Sequence, residues 1–179
     1  MRVNPDEIKD IRMPRHSWDY EDVSDADHWF LLAEAYIDCC HYLLSSMIEE
    51  NITGTFHHCK VVVSLFEHSV ELFLKGAIVQ AEKQVQTHHR IDEIFKQFIN
   101  LYPGKKFEFT GSISEFVKPM PQAPVNEYAR YPADQNGQSW LGHTHIDIAI
   151  YYVEASKFKD DYSRLKPLIK ERYNKDKTS

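Results

Sequence analysis

The sequence has little that would staple, anchor or export it. Its three cysteines, Cys39, Cys40 and Cys59, are an odd number with one adjacent pair, and no C-x-x-C occurs. That pattern excludes a disulfide framework, a zinc ribbon and a thioredoxin-type site, and leaves three small packing residues suited to a reducing compartment. No apolar run approaches the roughly 20 residues a membrane span requires. Six glycines and eight prolines among 179 residues exclude collagen-like and low-complexity chains. Met1 is followed by Arg2, Asn4, Asp6, Glu7 and Lys9 rather than an apolar stretch, so no secretory leader is expected and a cytoplasmic location is. The sequon Asn51-Ile52-Thr53 is then a chance match.

What is present is a core. Hydrophobic residues make up 42% and aromatics 13%, which is not a disordered composition. A single domain of this length buries about two-thirds of its unfolded surface. The net charge of −6 argues against a dedicated nucleic-acid coat protein. The charge is uneven, however. Residues 1–34 hold nine acids against four bases, whereas 157–177 hold eight bases against four acids. A basic C-terminal end suits phosphate or RNA, and it equally suits the negative pole of a helix dipole.

Periodicity then predicts helices. Residues 1–23, with Pro5 and Pro14, read as an N-terminal arm. Ser24 and Asp27 form a capping-box-like start. From Trp29 through Phe30, Ala33, Tyr36, Ile37, Cys40 and Leu44 the i, i+3, i+4, i+7 rule predicts a helix over about 25–50. A second helix, over about 55–86, is apolar on most sides between Val61 and Ile78, as a central bundle helix is. A third covers about 90–101 and a last about 145–162, after which Pro167 bends or restarts the chain before a basic, frayed end. The 103–144 stretch between them carries five prolines and four glycines, with one short helix over Ser112–Val117. A connection this long inside a compact domain is usually functional. The fold class is therefore all-α: an up-down antiparallel bundle of four to five helices with a long Pro/Gly-rich connection before the last main helix. The organisation is an arm at 1–23, a bundle at 24–165 and a basic extension at 166–179.

The second helix carries a polar stripe. At 100° per residue Ser64, His68, Glu71 and Lys75 share one face, with His57, Lys60 and Glu82 in line. Two readings stand: a solvated face with a Glu71–Lys75 i, i+4 pair, or a groove wall where His and Lys meet an anion. The ten histidines contain no H-x-x-x-H or H-E-x-x-H, and the neighbours His57-His58, His88-His89 and His143-x-His145 diverge on a helix. No metal ligand set is assigned, though His41 and His68 lie on different helices that could approach.

Three pieces of the chain together resemble the HEPN family, the higher-eukaryote and prokaryote nucleotide-binding domains. Glu67-His68, Ser69-Val70 and Glu71…Lys75 stand where the family's second helix has a polar pair, two small residues and Glu-x-x-x-Lys. His88-His89-Arg90-Ile91-Asp92 is similar to the His-Asp-Leu start of its third helix. Ala129-Arg130-Tyr131-Pro132 with Asp134 is similar to its Ala-Arg-Tyr-Pro-Asp loop, with one residue inserted. The resemblance covers about 25–162 and implies a helical bundle, often dimeric, tied to nucleotides or RNA and sometimes to a nucleotidyltransferase partner protein. Two departures stand out. Glu67-His68 replaces the common Gln-Gln, and the last helix lacks the Arg-x(4–6)-His of the family's ribonucleases.

The expectation is a binding module without that ribonuclease motif, taking a nucleotide or RNA phosphate at His68, Glu71, Lys75, His88, His89, Arg130 and Tyr131. No cofactor beyond such a ligand is expected, nor a membrane partner. A homodimer is expected. Arg130 either clamps phosphate bidentately or pairs with a helix acid such as Glu71. The alternatives are a diverged ribonuclease using His143 or His145, a DinB-like metal-dependent bundle enzyme using His41 and His68, and a dimeric protein-protein scaffold.

Overall fold

A computed structural model describes residues 23–50, 56–85, 89–112, 136 and 147–178. These form an all-helical bundle with no strand among them: α1 (Asp25–Ile48), α2 (Phe56–Gln80), α3 (Ile91–Leu101), a 3-10 turn at Lys105–Phe107, and α4 (Ile148–Thr178). None of these helices is long and apolar enough to cross a membrane.

Local chemistry sets the helix ends. Ser24 Oγ accepts from Asp27 N at 3.2 Å and starts α1. Asp147 Oδ1 accepts from Ala149 N and Ile150 N, which starts α4 two to three residues later than the periodicity implies. α2 stops at Gln80 rather than near 86. There Glu82 adopts a left-handed φ of 53° while Lys83 N donates back to Ile78 O and Glu82 N to Val79 O. This is a Schellman-type cap made without glycine, so the residue type does not announce it.

The larger correction concerns the C-terminal end. α4 neither stops near 162 nor frays there, but continues through Pro167 to Thr178. Pro167 removes one backbone donor and crowds residue 163. Leu165 and Ile169 on either side of it are both fully buried, and that packing holds the helix together. Residues 166 onward therefore extend a bundle helix.

Helix order follows from named contacts. Cys40 meets Val62 O and Ala33 O meets Ser69, so α1 and α2 are antiparallel. His41 meets Ser156 and Glu34 meets Lys166, so α1 and α4 are antiparallel too. α3 begins beside Glu71, through His89, and ends beside Ala77, whose carbonyl accepts from Tyr102 Oη at 2.8 Å. The core is aromatic: Phe73 stacks on Tyr162 at 4.1 Å between centroids, and Phe66 meets Phe158 edge to face at 5.1 Å.

The uneven charge has an internal outlet. Asp27, Glu34 and Asp38 on α1 pair with Lys170, Lys166 and Lys159 on α4. Lys157 pairs with Glu154 and Arg164 with Asp161. The acidic start of the bundle and its basic end are thus neighbours in space. The arm at 1–22, the loop at 51–55, most of the 113–146 connection and the short helix expected past Ser112 lie outside the described residues.

Candidate functional site

The polar stripe of α2 is exposed at His57, half-buried at Lys60, Ser64 and His68, and buried at Glu71 and Lys75. Glu71 is 2% and Lys75 5% exposed, although both lie on the most apolar helix of the chain. The Lys75 ammonium donates to Glu71 Oε1 at 2.7 Å. His89, two residues before α3, places Nδ1 2.8 Å from the same oxygen. His68, one turn before Glu71, places Nδ1 3.8 Å from Oε2. One buried carboxylate thus gathers three nitrogen-bearing side chains from two segments of the chain.

The carboxylate's ionisation follows from its surroundings. Burial pushes the Glu71 carboxyl upward, but the neighbouring His68 imidazole, the hydrogen-bonded Lys75 ammonium and the His89 hydrogen bond outweigh it and hold the group at about 2. Glu71 is therefore an anion at neutral pH. An ionised carboxylate only accepts hydrogen bonds, so His89 Nδ1 carries a proton. In the neutral ring Nε2 is then the acceptor, and the side chain is 49% exposed. Glu71 fixes this imidazole as a carboxylate fixes the outer nitrogen of a ligating or catalytic histidine.

α1 supplies the neighbouring wall. The Tyr36 ring meets His68 edge to face at 4.7 Å, and Trp29 lies 6.0 Å from Lys75 Nζ. Gly76 permits this approach, because a Cβ there would stand 2.9 Å from Trp29 Cβ and 3.1 Å from the Phe30 ring. Trp29 and Tyr36, seven residues apart on one edge of α1, belong to the apolar periodicity. Their polar neighbours become visible only once α2 is docked.

Of the residues singled out in the sequence, His68, Glu71, Lys75 and His89 come together. His88, Arg130 and Tyr131 lie outside the described residues, as do His143 and His145. His41 and His68 are turned to different partners: His41 to Ser156 at 3.1 Å and to the Tyr152 ring, His68 to Glu71 and Tyr36. Among the described residues no group of three His, Cys, Asp or Glu side chains is placed to hold a metal ion.

A second polar cluster, unmarked by any of the motifs above, lies on α4. Asp161 on α4, 1% exposed, accepts from Thr110 N at 2.7 Å, Thr110 Oγ1 at 3.0 Å and Gly111 N at 3.0 Å, and from Arg164 at 2.7 Å. Glu154, 6% exposed, accepts from Ser112 N and Lys157. Arg164 also donates to the carbonyls of Lys106 and Glu108. These groups tie segment 106–112 to α4. Gly111 sits so close that a Cβ would meet the Phe158 ring at 2.5 Å. The signal was the i, i+3, i+7, i+10 row Glu154, Lys157, Asp161, Arg164 on the last helix.

The fold and site define an all-helical bundle with an ionised carboxylate buried between α2 and the start of α3. Comparison of the chain with protein-family models, with curated proteins and with solved structures returns no match.

Proposed function

We propose that this chain is a HEPN-like helical module that binds the phosphate of a nucleotide or RNA, without the family's ribonuclease motif. The observation that supports this is the convergence of His68, Lys75 and His89 on Glu71. Lys75 balances the buried carboxylate, and the two imidazoles form the accessible edge. An imidazolium at either position presents an N–H to a phosphate oxygen. The same reading assigns ligand contacts to Arg130, as a bidentate phosphate clamp, and to Tyr131 and His88. A homodimer and a nucleotidyltransferase partner belong to the same reading.

Thermal shift with nucleotides and short RNAs tests the site, because a ligand of the native state raises stability. Wild type should gain several degrees with one of them, and both Arg130→Ala and His89→Ala should lose most of that gain. An equal gain in all three proteins would remove the site assignment.

A second reading, a dimeric scaffold, is favoured by the exposed Leu31 and Tyr42 on α1 and Ile150 and Val153 on α4. Under it, light scattering shows a dimer and the ligand screen shows nothing.

A further inference from the structure

His89 is the most accessible member of the Glu71 cluster, and its two nitrogens meet different surroundings. Nδ1 lies 2.8 Å from Oε1 of the buried Glu71, whereas the side chain as a whole is half exposed. The carboxylate accepts the hydrogen bond from Nδ1–H. The neutral ring therefore carries its lone pair on Nε2, across the ring from the buried contact. An imidazole held in this tautomer by a carboxylate is an activated nucleophile.

The surroundings suit transfer of a phosphoryl group to that nitrogen. Attack by Nε2 turns the neutral ring into a cation, and the positive charge develops in hydrogen-bond contact with an ionised carboxylate. Lys75, 2.7 Å from the same carboxylate oxygen, offsets the repulsion that Glu71 would exert on an incoming anion. The nearby acids of the first turn of α3, Asp92 and Glu93, are met by Arg90 at 3.5 and 2.6 Å. The positive end of the α3 dipole lies at Ile91, two residues beyond His89.

We propose that His89 is a phosphoryl acceptor, taking the group on Nε2 from a small donor of the phosphoramidate class, with Glu71 as its positioning residue. The Nε2 lone pair forms the new N–P bond as the donor's own N–P bond breaks. The donor nitrogen, protonated before the step, departs with that electron pair as a neutral amine. The Nδ1 proton stays on the ring, hydrogen-bonded to Glu71, so one N–P bond replaces another. This rests on the reading of the same edge as a phosphate site and adds a covalent step to it.

The test incubates the full chain with potassium phosphoramidate, maps the modified histidines by mass spectrometry and assigns the nitrogen by phosphorus NMR. His57 and His58, on the first turn of α2, are exposed, so exposure alone would favour them. His89 should instead react at least about tenfold faster than either, and at Nε2. Glu71→Gln keeps the shape of the side chain and removes its charge. It should slow His89 about tenfold while leaving His57 unchanged, a ratio within one molecule that a merely structural role would not move. His57 or His58 reacting as fast as His89 overturns the proposal, as does modification at Nδ1 or an unchanged ratio in Glu71→Gln. Should Glu71→Gln fold poorly, the order of the histidines and the nitrogen modified in wild type carry the decision. Thermal shift on the same protein keeps the two readings apart. A nucleotide that binds while His89 stays unmodified ends this inference alone, and a modified His89 in a chain that binds no nucleotide or RNA ends that ligand class alone.

Discussion

Glu71 and Asp161 are both carboxylates in the interior of the bundle, yet they are satisfied in different ways. Asp161 takes two backbone N–H groups, a hydroxyl and a guanidinium, mostly from one short segment that has no freedom to leave. Glu71 takes only side chains, an ammonium and two imidazoles, one of which is half exposed. Backbone donors make a carboxylate a structural tie, since they cannot turn toward a ligand. Side-chain donors that reach the surface can. This contrast, more than burial itself, separates the candidate site from the strap on α4.

The largest expected effect breaks the strap. Asp161→Ala removes the acceptor of the buried Gly111 N–H, of the Thr110 N–H and hydroxyl, and one of the three partners of Arg164, and should cost about 3–5 kcal/mol, read from denaturant midpoints. A loss below about 1 kcal/mol would mean that segment 106–112 is held by its aromatic packing instead.

Glu71 should show a smaller effect with a pH signature. Its carboxyl lies at about 2 in the fold against an ordinary 4.5, so its contribution is complete above 4.5 and disappears as pH falls from there toward 2. A shift of that size corresponds to roughly 3 kcal/mol. Glu71→Gln should therefore be clearly less stable than wild type at pH 7 and nearly equal to it close to pH 2. A stability gap independent of pH would show that Glu71 acts by packing alone.

The smallest effect lies on the α1–α4 face. Asp38 and Lys159 are 61% and 39% exposed in their 2.8 Å pair. A double-mutant cycle should give a coupling of about 0.5 kcal/mol or less, weakened further by salt. A coupling above about 2 kcal/mol would make the acidic and basic rows a determinant of helix order rather than a surface accompaniment.

Much of this was legible in the chain. The 3.6-residue repeat from Trp29 to Ile48, and the near-continuous apolar run from Val61 to Ile78, required two long helices and a bundle to bury them. The line of His68, Glu71 and Lys75 on one side of that apolar helix marked the candidate site. Other features were hidden for physical reasons. Pro167 reads as a break, because a local rule cannot count the burial of Leu165 and Ile169 on either side. Glu82 does not look like a helix stop, because its left-handed cap is held by hydrogen bonds rather than by glycine.

Taken alone, then, the sequence determined the main helices, the buried faces of α1 and α3 and the i, i+4 relation of Glu71 to Lys75, all consequences of a fixed rise and rotation per residue, whereas Ile150 and Val153, apolar at helical spacing, stand exposed on α4. Only the tertiary structure decided that this pair is buried, that His89 reaches it across eighteen residues, that Asp161 ties down the chain after α3, and that the acids of α1 face the bases of α4. Those relations join residues far apart in the chain. They depend on how the helices pack against one another, and no periodicity within a single helix encodes that.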